Sequence, residues 1–402
     1  MKVFVINCGS SSIKYRLIDM PSTLLICSGQ VERIGLVGSL FTHKIYKDSV
    51  VKVINKELES VTHKEALGLV VKMMIDDKDG VLTSLDEIEL VGHRVLHGGD
   101  LFASTTFIDE DVKKQIKKLF PLGPLHLPAN HTGIEVAETL FTSAKHVSVF
   151  DTAFHQSMPP VAYRYAINNK YFEQYGIRAY GFHGTSHKYV SQKAATYLGK
   201  PNAKIITIHL GNGCSMAAIN AGKCLDTSMG MGPLSGLIMG TRSGDLDPSV
   251  IFYLLEHTGM DPEELQNILN KKSGMLGLCG MSDMRDIKAA IKSGNKEAIL
   301  AYELYAYRIK KYIGSYLAVL NGIDAIVFTG GIGENDATMR QLATSNLDAL
   351  GITCKESATL ISEDGIEEYQ ELNSAIKVLV VPTNEELEIA QQCYDLFKGY
   401  TS

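Results

Sequence analysis

Four apolar residues, Val3-Phe4-Val5-Ile6, run straight into Asn7, Gly9 and three serines; Ile13, Tyr15 and Leu17 then alternate with Ser12, Lys14 and Arg16. The apolar run predicts a buried strand and the period of two predicts a second strand after a tight turn. This argues against a Walker-type P-loop, which needs a second glycine before the lysine and a helix after it. The pattern returns at 204–220, KIITIHLGNGCSMAAIN, with an apolar run, a Gly-Asn-Gly turn, a serine and a second strand. Two such hairpins half a chain apart predict two related domains facing a cleft, each with a phosphate-type turn.

Helical periods fill much of the rest. Asp247-Pro248 is a capped helix start, Ile251, Leu254 and Leu255 form its apolar face, and Gly259 stops it. A longer helix is predicted from about Lys296 to Asn321-Gly322, with Ile309, Tyr312, Ile313, Tyr316, Leu317 and Leu320 at helical spacing. Ala325 to Phe328 is a strand ending in TGGIGEN (329–335). Val378 to Val381 is another, after which Thr383 opens a helix with a capping box completed by Glu386. Strands and helices alternate throughout, so the class is α/β, with a domain boundary near 150.

Length and composition narrow the function. A chain of 402 residues exceeds one ordinary core, which predicts two domains. Net charge of −6 disfavours nucleic acid or an anionic membrane as partner, so any anionic ligand needs a local cluster of cations and backbone amides. Seven scattered cysteines with no CxxC spacing suit a reducing cytosol and form no disulfide framework or zinc site. No signal peptide or membrane span is read in the N-terminal residues, so a cytoplasmic location is expected.

Three stretches concentrate polar residues at strand ends: GHRVLHGG (92–99), VFDTAFH around Asp151, and GTRSGD (240–245). Arg94 and Arg242, both read as lying in glycine-rich loops, fit a pair of clamps on phosphate or carboxylate oxygens. Asp151 is either a cap or a metal-side or base carboxylate at a strand's carboxyl end. Glu385, early in the last helix, reads as offsetting the helix dipole. His183 and His187 have the spacing of a metal pair, but Gly184 disfavours a helix between them. A histidine in such a loop, like His126 in PLGPLHLPAN, can instead donate to an anion.

Taken in order, NCGSSSIK, GHRVLHGG, FDTAFHQ, YGFHGTSH, HLGNGCS, GTRSGD, FTGGIGEN and PTNEE resemble the acetate kinase family, from Met1 to about Phe397. That family belongs to the acetate and sugar kinase, Hsp70 and actin superfamily. The resemblance implies two duplicated ribonuclease-H-like domains: 1–150 on the acyl-substrate side, joined by the C-terminal helix 385–402, and 151–384 for nucleotide binding and dimerisation. It implies reversible transfer of the ATP γ-phosphoryl to acetate, with Mg²⁺ (or Mn²⁺), a homodimer, and metabolic coupling to phosphate acetyltransferase.

By the same resemblance, Asp151, His183 and Arg242 are the catalytic set and Arg94 meets the substrate carboxylate. Asn7 and Glu385 sit at the metal, which replaces the structural reading of Glu385. Leu96, Leu125, His126, Phe182 and Pro233 match the acyl site. Ser10, Ser12 and Lys14 match the phosphate hairpin. The nucleotide is expected against His209, Leu210, Gly211, Asn212 and Gly213, against Asp283, Met284 and Arg285, and against Gly331, Ile332, Gly333, Glu334 and Asn335. A leucine at 96 favours a short pocket and hence acetate. The alternatives are a propionate or other short-chain acyl kinase, a sugar kinase using Asp151 as base, and a nucleotide-driven binding protein of the Hsp70 or actin kind.

Overall fold

A computed structural model of the chain describes residues 1–47, 50–371 and 374–401. It divides into two compact units, Met1–Ala153 with Asn384–Ser402, and Phe154–Thr383.

Unit 1 is built on an eight-stranded sheet. Its strands are β1 (Lys2–Cys8), β2 (Ser12–Asp19), β3 (Leu24–Glu32), β4 (Ser39–Lys47), β5 (Val50–Leu58), β6 (Ile88–Val95), β7 (Thr106–Phe107) and β8 (Lys145–Phe150), in the order β5-β4-β3-β2-β1-β6-β8-β7. The expected hairpin is present: β1 and β2 pair antiparallel with Asn7 opposite Lys14. β6 and β8 extend the sheet in parallel with β1, so the three strand ends that carry Asn7, Arg94 and Asp151 lie at one edge. Arg94 lies within β6, not in a loop as its glycine neighbours suggested.

Alternation along these strands separates two cores. Phe4, Ile6, Ile13, Tyr15 and Leu17 pack with the helices His63–Met74 and Leu127–Leu140. Val3, Val5, Leu90, Val147 and Val149 pack on the other face against Ile389, Ala390, Cys393 and Tyr394 of the C-terminal helix Glu385–Thr401. Gly92 allows that approach, since a Cβ there would lie 2.8 Å from Cys393 Sγ.

Unit 2 has a seven-stranded sheet made of β9 (Lys204–Leu210), β10 (Cys214–Asn220), β11 (Lys223–Thr227), β12 (Ala325–Thr329), β13 (Leu360–Ile361), β14 (Glu367–Glu368) and β15 (Lys377–Val380), ordered β11-β10-β9-β12-β15-β14-β13. Its centre repeats unit 1: β3-β2-β1-β6-β8 and β11-β10-β9-β12-β15 each place a hairpin beside two parallel crossover strands. The helix Gly184–Tyr197 covers one face through Val190 and Ala194; the helix Lys296–Leu320 packs on β9, β10 and β11 with Ile309, Ile313, Tyr316 and Leu320 buried.

Two local expectations are corrected. Gly184 does not interrupt a helix; it begins one, with His183 as its N-cap in the left-handed region at φ 55°. A glycine is tolerated there because the first turn gives up no interior helical bond. Thr383 does not cap the last helix either. Asn384 does, its Oδ1 accepting from Leu387 N at 3.2 Å, while Thr383 Oγ1 bonds Ser186 Oγ at 2.9 Å. Asn and Thr are both good caps, and the tertiary bond to Ser186 decides between them.

Candidate active site

In unit 1 the strand ends gather Asn7, Arg94 and Asp151 around one guanidinium. Arg94 donates from Nε to Asp151 Oδ1 at 3.0 Å and from Nη2 to Oδ2 at 2.5 Å, and from Nη1 to Asn7 Oδ1 at 3.4 Å. The Asp151 backbone N–H donates to Val95 O, which fixes the residue at the end of β8. Glu385 joins the cluster from the C-terminal helix, its Oε2 3.9 Å from Arg94 Nε. Burial raises the Glu385 carboxyl above its ordinary range; Arg94 opposes the shift and Asp151 and Glu386 reinforce it. Beside them, Arg16 donates to Asn384 Oδ1 at 2.8 Å and pairs with Glu386 at 3.4 Å, while Lys14 lies exposed on β2.

Leu96 follows β6 directly. Its N–H donates to Asn130 Oδ1 at 3.0 Å, and Asn130 Nδ2 donates to Cys8 O at 2.6 Å, which ties the loop to the end of β1. Leu125 is exposed and His126 is the N-cap of the Leu127–Leu140 helix. Ser10 and Ser12 flank the β1–β2 turn, closed by a bond from Gly9 N to Ser12 O.

In unit 2 His183 and Arg242 converge on the β9–β10 turn. A Cβ on Gly213 would lie 3.4 Å from the His183 ring and 3.6 Å from Arg242 Nη1. Arg242 Nη1 donates to Pro233 O at 3.2 Å, and burial lowers its pKa. The His183 ring stacks on His209 at 4.4 Å, and its Nδ1 is 2.8 Å from Ser215 Oγ. Phe182 is buried, and its carbonyl accepts from His155 Nε2.

The three segments assigned to the nucleotide meet at a cavity of about 600 Å³ in unit 2. Gly211 and Asn212, Asp283 to Arg285, and Gly331, Ile332 and Asn335 all line it. The rest of the wall has no counterpart among those expectations: Gly240, Met275, Ser282, Lys288, Tyr305 and Asp336. Asp336 is held from two sides, by Lys288 Nζ at 2.8 Å and Tyr302 OH at 2.9 Å, and caps the helix Ala337–Thr344. Only its N-cap position after GGIGEN offered a signal. Arg285 pairs with both oxygens of Asp283, which holds that carboxyl down to about 2. Leu210, Gly213, Gly333, Glu334 and His209 do not line the cavity. Glu334 Oε1 accepts from Gly330 N and Thr383 N, and His209 Nδ1 meets Ser186 Oγ at 2.9 Å.

Two sheets with one repeated strand order, an arginine–carboxylate cluster on the first and a glycine-turn cavity on the second define a duplicated ribonuclease-H-like kinase. The chain belongs to the acetokinase family, whose sequence profile matches residues 2–391, and is a phosphotransferase acting on a carboxyl group. It is 53% identical over 399 residues to an acetate kinase of Flavobacterium johnsoniae, covering 99% of this chain and 100% of that one. The crystal structure of Porphyromonas gingivalis acetate kinase superposes with a TM-score of 0.91 at 43% identity, over 98% of this chain and 99% of that one. A propionate kinase from Francisella tularensis superposes with a TM-score of 0.90 at 40% identity, again over 98% and 99%.

Proposed function

We propose that the chain is an acetate kinase. An acetate oxygen attacks the γ-phosphorus of ATP, the bond from that phosphorus to the β,γ-bridging oxygen breaks, and acetyl phosphate and ADP result; the reverse reaction uses the same groups. The observation that carries this reading is the Arg94–Asp151 pair. A carboxylate acceptor has a pKa close to that of glutamate, about 4.3, so it arrives ionised at neutral pH and needs no base. What it needs is cations, and Asp151 holds one in place with both of its oxygens. Asp151 is therefore an orienting group.

Arg94 receives the acetate carboxylate; the residues proposed to contact the acyl group are Leu96, Leu125 and His126 in unit 1 and Phe182 and Pro233 in unit 2. Arg242 and His183 donate to the transferring phosphoryl oxygens, where charge develops in a loose, in-line transition state. Lys14, Ser10 and Ser12 hold phosphate at the first hairpin, and the unit 2 cavity takes the adenosine.

Asn7 Oδ1 and the carboxylates of Glu385 and Asp151 are all oxygen donors gathered at one sheet edge, which suits a hard divalent cation such as Mg²⁺ or Mn²⁺. Asn7 and Glu385 would hold it. Bound there, it would offset the charge of the nucleotide phosphates. Mg²⁺ keeps most of its shell as water and phosphate oxygens, so two protein donors are adequate.

The helix Pro248–Thr258 is apolar in sequence yet has no buried residue, with Phe252 64% and Tyr253 62% exposed. A second copy of the chain covers this face, giving a homodimer through the C-terminal domain. The setting is cytoplasmic, where free cysteines persist: all seven here are unpaired. Acetyl phosphate is a mixed anhydride, and an acyl transfer to or from phosphate, as by phosphate acetyltransferase, consumes or supplies it.

The test is phosphoryl transfer from Mg-ATP with hydroxylamine trapping of acyl phosphate, for acetate and propionate side by side and with Arg242→Ala as control. Higher kcat/KM for acetate that collapses in the control supports the reading. Better turnover of propionate would move the assignment to a propionate kinase, and no acyl phosphate from either acid would sink it.

A further inference from the structure

Behind His183 lies a chain of buried polar groups that no role above requires. Ser215 Oγ is 2.8 Å from His183 Nδ1 and 2.7 Å from His187 Nε2, and His187 Nδ1 is 2.7 Å from Thr207 Oγ1. Thr207, His187 and Ser215 are all fully buried. Three different elements supply them: β9 carries Thr207, β10 carries Ser215, and the Gly184–Tyr197 helix carries His187.

The hydrogens in such a chain must all run the same way, because each hydroxyl and each neutral imidazole has one to give. In one direction Thr207 donates to His187 Nδ1, His187 Nε2 donates to Ser215, and Ser215 donates to His183 Nδ1. In the other, His183 Nδ1 donates to Ser215, Ser215 donates to His187 Nε2, and His187 Nδ1 donates to Thr207. The second direction leaves the Thr207 hydroxyl hydrogen without an acceptor, since among the described residues Thr207 Oγ1 bonds His187 alone. A buried hydroxyl hydrogen with no acceptor is disfavoured. Burial, with His155 and His209 nearby, also keeps His187 neutral, so it has only one hydrogen to pass on.

We propose that Thr207, His187 and Ser215 are positioning residues that fix His183 as its neutral Nε2–H tautomer, so that it always donates toward a phosphoryl oxygen. The proposal rests on the reading of His183 as a phosphoryl contact. A proton added to His183 Nδ1 would force Ser215 to accept and reverse the whole chain, so the relay also opposes the imidazolium form. The charged and titratable groups of unit 2 that face His183 include His209, stacked on it, Arg242 beyond Gly213, and His187 beyond Ser215. The cation at the phosphoryl group is then Arg242, and His183 supplies a directed hydrogen without charge.

The test combines histidine ¹⁵N NMR with pH profiles of kcat. In the wild-type protein at about pH 7.5, His183 is expected to show an unprotonated Nδ1 and a protonated Nε2, and kcat to show no histidine ionisation near pH 6.5. Ser215→Ala removes the donor to Nδ1 and frees the tautomer. It should leave KM for acetate and ATP near wild type, lower kcat about tenfold at pH 8, and recover part of it toward pH 6 as His183 protonates. A wild-type His183 found as the Nδ1–H tautomer or as imidazolium would overturn the relay. So would a Ser215→Ala profile that superimposes on wild type. A fully active His183→Ala enzyme would overturn the phosphoryl role of His183 itself, whatever the tautomer shows.

Discussion

Arg94 meets Asp151 fork to fork, with Nε on one carboxylate oxygen at 3.0 Å and Nη2 on the other at 2.5 Å. The Asp151 side chain is 1% exposed and the Arg94 side chain 23%. The geometry matches planar guanidinium to planar carboxylate, which a lysine cannot reproduce.

Removing the arginine should therefore do more than weaken acetate binding. Arg94→Ala strands a buried carboxylate and is expected to cost about 3–5 kcal/mol of stability. Arg94→Ala with Asp151→Ala should recover much of that loss while remaining inactive. Urea denaturation of the two variants checks this; equal stability of single and double variants would mean the pair contributes no such coupling.

Leu96 is pinned through its N–H to Asn130, so its side chain has little backbone freedom to follow a longer acyl group. Leu96→Ala is expected to raise kcat/KM for propionate relative to acetate by about tenfold, within the ~1–3 kcal/mol that one methylene is worth. Competition of the two acids at equal concentration reads the ratio directly.

Asp226, on β11, gives stability a pH dependence. Burial raises its carboxyl from 3.8 to about 6. Between those values the folded chain retains a proton that the unfolded chain has released, so this group's contribution to stability falls as pH rises from about 4 to 6 and is level above. Asp226→Asn should remove that fall and stabilise the protein by about 1–2 kcal/mol at neutral pH, with little effect near pH 4. Thermal melts of both proteins across the window test the sign.

Charge placed on the exposed helix Pro248–Thr258 should dissociate the proposed dimer. Phe252→Asp with Tyr253→Asp is expected to shift the protein from dimer to monomer in sedimentation equilibrium, because both side chains are mostly exposed on their own chain. An unchanged mass would place the subunit contact elsewhere.

Much of this was legible because it is local. The hairpins show in the period of Ile13, Tyr15 and Leu17, all buried on one face, and the Lys296–Leu320 helix in the spacing of Ile309, Ile313 and Tyr316. The motifs that carried the family resemblance also carried most of the residues that the structure gathers around Arg94 and Gly213. What escaped is decided at a distance. Thr383 and Asn384 are equivalent caps until Ser186 engages the threonine. The glycines around Arg94 say loop, while pairing of β6 with β1 and β8 makes it strand. Met275, Lys288 and Tyr305 reach the unit 2 cavity from three separate helices, and a single residue of each type has no pattern of its own.

The C-terminal helix also sets an order of events during synthesis. Ile389, Ala390, Cys393 and Tyr394 close one face of the unit 1 sheet, and Glu385 completes its cluster of charges, yet these residues leave the ribosome after the whole of unit 2. Until then Val3, Val5, Leu90, Val147 and Val149 have no lid, and the nascent chain has no second carboxylate beside Arg94. Unit 1 is begun first and finished last, so a ribosome that stalls late yields a chain with a complete second domain and a first sheet left open on one face.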